Sequence, residues 1–196
     1  MKASLILTLA LLTAVAAAQT SDPVYIADLN QTHAGKMTAD QARLGRTRAD
    51  KHARAAKLTS LSDGAADELR LWVTWATFDV RSNGIATTGY VLTRKDAKVC
   101  RVDYPRKSMD PEGALCRSYA PLVMRTRALA DLPRLSALAD FAIDCGTQDG
   151  SWLLIDAVSS GKRFVVYANN ADSCTGDAAK LVADVSERVA TVEAPR

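Results

Sequence analysis

Glu68-Leu69-Arg70-Leu71-Trp72-Val73-Thr74-Trp75-Ala76-Thr77-Phe78-Asp79-Val80-Arg81 decides the fold class. The stretch is rich in aromatic and β-branched residues, which favours a strand. On a two-residue period Leu69, Leu71, Val73 and Trp75 share one face, and Trp72, Thr74, Ala76, Phe78 and Val80 share the other. A strand apolar on both faces belongs in the middle of a sheet or under cover on both sides. Ser82-Asn83-Gly84 then signals a tight turn. Residues 85–93 return, 94–97 turn again, and 98–104 make a third strand that Pro105 ends. The product is a three-strand antiparallel meander.

Working outward, residues 105–121 carry Pro105, Pro111, Gly113 and Pro121 and read as a long loop, a candidate contact surface. Residues 122–132 suit either a strand or a short helix. Pro133 in a first turn, with Leu135, Leu138, Ala139 and Ala142 behind it, predicts a helix from 132 to about 144, stopped by Cys145-Gly146. Residues 152–158 and 163–168 form a hairpin about Ser159-Ser160-Gly161. Leu181, Val182, Val185 and Val189 mark a last helix over roughly 177–190. The expected fold is α+β: about five antiparallel strands, a three-strand meander plus a hairpin, with two packed helices and disulfide staples.

Met1-Lys2, an apolar run from Leu5 to Ala18 and the polar Gln19-Thr20 that follow read as a secretory signal over residues 1–18, cleaved after Ala18. The run is too short to span a bilayer comfortably, and no later segment is long and apolar enough to do so. Arg makes up 16 of the 25 basic residues, a bias suggesting a bacterial source. Cys100, Cys116, Cys145 and Cys174 are an even set, as two disulfides in an exported protein require. Four cysteines allow three pairings. The hairpin returns the chain to its starting edge, which brings Cys145 to Cys174 and leaves Cys100 for Cys116. A zinc site lacks both C-x-x-C spacing and a nearby His.

Charge divides the mature chain. Residues 36–57 hold seven basic side chains against Asp40 and Asp50, whereas 67–196 hold 17 of each sign. Residues 19–66 have few large apolar side chains and read as a basic N-terminal segment or linker. The compact α+β domain is expected over 67–190 and a tail over 191–196. Ala42, Ala49, Ala53 and Ala56 recur at helical spacing beside a basic stripe, which suits a solvated helix or weak contact of residues 36–57 with an anionic surface. His33 and His52, the two histidines, are expected to be exposed and idle.

Chemistry is sought and mostly not found. No His follows residue 52, so a Ser-His-Asp or Cys-His set on the expected domain has no proton carrier. G-x-S-x-G, H-E-x-x-H and a complete phosphate-binding loop are absent. Asp156 alternates with Trp152, Leu154 and Val158; if buried it needs a partner, and Arg163 across the hairpin is diagonal to it. Asp144, Thr147, Gln148, Asp149, Asn169, Asn170, Asp172 and Ser173 make an oxygen-rich cluster without EF-hand spacing, better suited to turns and caps than to Ca²⁺. Trp72, Trp75 and Trp152 fit a core better than a sugar platform.

These readings point to an exported protein, periplasmic or secreted, acting as a non-catalytic binding module of inhibitor, immunity or envelope-accessory type. No catalytic residue, metal or cofactor is expected, and no nucleic-acid partner; the partner is another envelope or extracellular protein. The alternative is a small carboxylate-based hydrolase or sugar-binding protein, which requires a cleft with two close carboxylates.

Overall fold

A computed structural model describes residues 33–76, 84–105, 110–119, 122–145 and 150–190. The segment 1–18 read as a secretory signal, the segment 191–196 read as a tail, Asn83 of the first turn and Thr147, Gln148 and Asp149 of the oxygen-rich cluster lie outside the described residues.

Among the described residues eight strands form one sheet: β1 His33–Lys36, β2 Glu68–Ala76, β3 Gly84–Thr93, β4 Ala97–Pro105, β5 Gly113–Ser118, β6 Phe141–Asp144, β7 Gly150–Ser159 and β8 Lys162–Asn169. Their order is β1-β6-β8-β7-β2-β3-β4-β5, antiparallel throughout except for the parallel β6–β8 pair. The helices are α1 Ala39–Ala55, α2 Leu122–Ala130, the single turn α3 Leu132–Ser136 and α4 Asp177–Val189.

The meander and the hairpin are both present, joined by β2 pairing with β7. The expected five-stranded antiparallel sheet is nevertheless incorrect, because three more strands extend it and one pairing is parallel. The second half of the expected 105–121 loop is β5, paired in register with β4 from Lys98↔Ser118 to Asp103↔Gly113. Residues 106–109 lie outside the described set. The expected helix over 132–144 stops after one turn. Asp140 takes a left-handed backbone, φ 55°, which Asp tolerates better than most residues, and the chain leaves it extended as β6. Arg46 holds that corner by donating to both oxygens of the Asp140 carboxylate at 3.0 Å.

The segment read as a basic linker is also built into this sheet. β1 pairs with β6, and α1 crosses the sheet over β7 and β8. A capping box starts α1: Thr38 accepts from the Gln41 amide, and Gln41 returns a bond to the Thr38 amide. The Ala stripe is its buried face, with Ala49 and Ala53 fully covered. Small residues let the helix lie close, and β2 supplies the missing volume with Trp72.

The sheet therefore has two cores. Leu69, Leu71 and Val73 of β2 pack with α2, α3 and α4 on one face; Trp72 packs with α1 on the other. β2 is covered on both sides, as its pattern requires. The last helix buries Leu181, Val182, Val185 and Val189. Among the described residues no helix is long and apolar enough to cross a membrane.

Candidate functional site

Both disulfides have the expected partners, Cys100–Cys116 and Cys145–Cys174. The first joins two directly paired residues of β4 and β5. The second ties the end of β6 to the turn after β8, whose parallel pairing brings Asp144 and Asn169 level. Asp144 accepts from the Asn169 amide at 3.1 Å, and Asn170 accepts from the Ser151 amide at 3.0 Å. These members of the oxygen-rich cluster thus serve the strand ends, and among the described residues no three potential ligands gather as a metal site.

Under α1 the sheet carries a row of charge. Alternation along β2, β7 and β8 puts Glu68, Arg70, Asp156 and Arg163 on the same face as Trp72, and register sets Arg70 directly opposite Asp156. Arg163 donates to Asp156 at 2.8 and 3.2 Å and to Asp50 of α1 at 2.9 Å. It also donates to the Leu61 carbonyl at 2.8 Å. Asp156 is 0 % exposed. Burial pushes its carboxyl above the usual range, against the opposing pull of the Arg163 hydrogen bonds and charge and of Arg70. Burial would lower Arg163, but hydrogen bonds and charge from Asp156 and Asp50 outweigh it and hold the guanidinium above its ordinary value. Asp156 has the raised carboxyl that acid catalysis wants, yet both its oxygens are committed and water does not reach it. Asp50 of α1, a second carboxylate, lies across the same guanidinium.

His52, expected to be exposed, is 4 % exposed. It stacks on Trp72 with ring centroids 4.9 Å apart and shares a 2.5 Å hydrogen bond through Nδ1 with the Tyr104 hydroxyl. Burial, aided by the charge of Arg48, lowers it to about 3, so the ring is neutral. Trp72 is buried beneath it and Trp152 is half-buried. Neither is an open sugar platform, and the side chain of Trp75 lies outside the described residues.

The basic stripe of α1 faces outward, but much of it is paired. Arg43 meets Asp40, Arg46 meets Asp140, Lys51 meets Asp110, and Lys36 donates to the Ala139 carbonyl. These four of the seven basic residues over 36–57 thus have partners within the protein.

Arg70, which sequence reading passed over, makes the remaining site. It is 3 % exposed. Nε donates to Glu68 Oε1 at 2.6 Å and Nη2 to the Thr59 carbonyl at 2.8 Å. Nη1 is buried and has no partner among the described residues. A buried donor left unpaired costs about 1–3 kcal/mol, more where the group is charged, so native structures rarely keep one without a reason. Arg70 lines a cavity of about 220 Å³ bounded by Leu58 and Val91 on the apolar side and by Glu68, Asp96 and Lys98 on the charged side. The half-exposed Asp96 and Lys98 mark its mouth. The volume holds several waters, but Nη1 is sealed from it, since a water-sized sphere cannot touch that atom. The available signal was the placement of Arg70 between Leu69 and Leu71 in a strand covered on both faces, where a charge must have a partner.

No known protein family, curated protein or solved structure matches this chain.

Proposed function

We propose that the chain is an exported, non-catalytic binding protein whose partner is another protein of the envelope or extracellular space. The observation that carries this reading is the state of Asp156, the buried carboxyl that acid catalysis would need: it is saturated by Arg163 and closed to water. A fully neutralised, buried carboxylate does not suit turnover. Two disulfides are compatible with an oxidising compartment.

The test has two arms. Fractionation of the producing cell, with N-terminal sequencing, should find the protein outside the cytosol and beginning after Ala18. Immobilised mature protein should then retain one protein from envelope extract, and that protein, once purified, should bind saturably and be released unchanged. Recovery from the cytosol with four free thiols, or covalent turnover of the retained molecule, would overturn the proposal.

A further inference from the structure

We infer that the outer edge of β5 pairs two copies of this chain, antiparallel about a two-fold axis that passes between Leu115 and its counterpart. The inference goes beyond the reading above, since it needs no second kind of protein.

Backbone geometry comes first. The Tyr119 amide donates to the Ala97 carbonyl at 2.9 Å, one step beyond the Lys98↔Ser118 pair. Hydrogen bonding alternates along an antiparallel ladder, so Leu115 and Arg117 spend their amides and carbonyls on β4. Those of Ala114 and Cys116 point away from it, and among the described strands β5 has no second neighbour. Proteins commonly blunt such an edge with a short strand, a Pro or a charge. β1, the opposite edge, is four residues long and ends in Gly35-Lys36. β5 runs six residues without Pro. Its centre is Leu115, 56 % exposed and the one exposed large apolar side chain among the described residues.

The sequence of β5 suits a second copy as the strand that completes it. A two-fold axis sets one residue against itself. With Leu115 on the axis, Ala114 of each copy exchanges both backbone bonds with Cys116 of the other. The two leucines then meet in the close, non-hydrogen-bonded position, where cross-strand side chains interact most. Moving the axis to Cys116 would set Leu115 against Arg117, and moving it to Ala114 would set Leu115 against Gly113. The Leu115 register also places Arg117 opposite Gly113 of the second copy. A Cβ built on Gly113 meets nothing within 4 Å, so an arginine has room to cross it. Beyond lies Asp103, the β4 residue paired with Gly113. Its Oδ1 takes Arg101 at 2.7 Å, and Oδ2 takes no hydrogen bond from the described residues. A half-exposed pair of this kind adds little affinity and serves to fix the register. The same patch meets itself, so the assembly closes at two copies.

The experiment follows the mature, oxidised protein by sedimentation equilibrium over a concentration series, with amide exchange read by NMR. A monomer–dimer equilibrium is expected, weaker than about 1 µM, the affinity at which interfaces of about 1,600 Å² begin. As concentration rises, exchange should slow at Ala114 and Cys116 and stay unchanged at Leu115 and Arg117, whose amides β4 already holds. Leu115→Lys sets like charges face to face and should weaken the dimer at least tenfold while leaving the unfolding midpoint of the dilute protein in place. Arg117→Glu should weaken it about threefold, and Asp103→Lys added to it should restore the loss. A protein still monomeric at about 1 mM would overturn the inference. So would a dimer that Leu115→Lys leaves intact, a dimer without slowed exchange at Ala114 and Cys116, or an assembly larger than two. Protection of those two amides at every dilution would also overturn it, by showing that the chain covers its own edge.

Discussion

Arg163 grips Asp156 with two donors, Nε at 2.8 Å and Nη2 at 3.2 Å, across the turn of the β7–β8 hairpin. The pair is diagonal in register, since Asp156 faces Val165 and Arg163 faces Val158. It lies beneath the connection between α1 and β2, whose Leu61 carbonyl takes a third bond from the same guanidinium. A buried pair of this kind contributes little net stability over an apolar pair of similar volume, but removing one member strands the other charge. Asp156→Leu and Arg163→Met are each expected to cost about 3–5 kcal/mol in urea unfolding. The double variant Asp156→Leu with Arg163→Met is expected to cost clearly less than the two losses added. Strict additivity would show that the two residues are not coupled.

His52 makes stability depend on pH in a fixed direction. It is held at about 3 in the fold against 6.5 unperturbed. Above pH 6.5 both folded and unfolded states keep the ring neutral, and His52 adds no pH dependence. As pH falls from 6.5 toward 3, the unfolded chain takes a proton that the buried ring refuses, and stability drops. The slope is about 1.4 kcal/mol per pH unit, so His52 removes about 2 kcal/mol by pH 5. His52→Gln should abolish that part of the slope, measured as the difference between wild type and variant in urea midpoints from pH 7.5 to 4.5. Parallel curves would refute the assignment.

Legibility in the sequence followed side-chain size. β2 was legible because large residues alternate on both of its faces, and the Asp156–Arg163 pair because a charge within an apolar alternation must find a partner. The disulfide pairing came from the hairpin that returns Cys174 to Cys145. What escaped was built from small or mixed residues. α1 packs through Ala and Gly45, whose added Cβ would already meet Val165 at 3.4 Å, so its core face has no apolar bulk to read. β1 is the four residues His-Ala-Gly-Lys, stabilised by pairing with β6. β6 continued a helical spacing from Leu135 through Ala142, and the break rests on Arg46, 94 residues away from Asp140. Arg70 escaped because its neighbours mark it as core, while its free donor is visible only once Glu68 and Thr59 are placed.

Gly89 is fixed by Trp72. The two are paired across β2 and β3, and a Cβ built on Gly89 would lie 2.2 Å from the indole ring. Nothing can give cheaply there, because His52 stacks on the same ring. Gly89→Ala is expected to cost about 3 kcal/mol, as overpacking of a filled core does. Gly89→Ala combined with Trp72→Leu should recover part of that loss by removing the ring the methyl strikes. The check is the urea midpoint of the three variants together with the intrinsic fluorescence of Gly89→Ala. An unshifted midpoint would mean that the ring has room to move.

The two disulfides should differ in what they hold and resemble each other in what they contribute. Cys100–Cys116 closes a separation of 16 residues and Cys145–Cys174 one of 29. Chain entropy depends on loop length only logarithmically, so each replacement by a Ser pair should cost about 3–4 kcal/mol. The structural consequences are local and distinct. Without Cys100–Cys116, β5 remains tied, among the described strands, to β4 alone, and exposes Leu115 on an outer edge. Without Cys145–Cys174, the parallel β6–β8 pair loses its clamp, and β1 beyond it depends on four paired residues. Hydrogen exchange should therefore quicken in residues 113–118 for the first variant and in residues 33–36 and 141–144 for the second. Uniform loss of protection across the sheet in either variant would show that the staples hold the whole fold rather than its two edges.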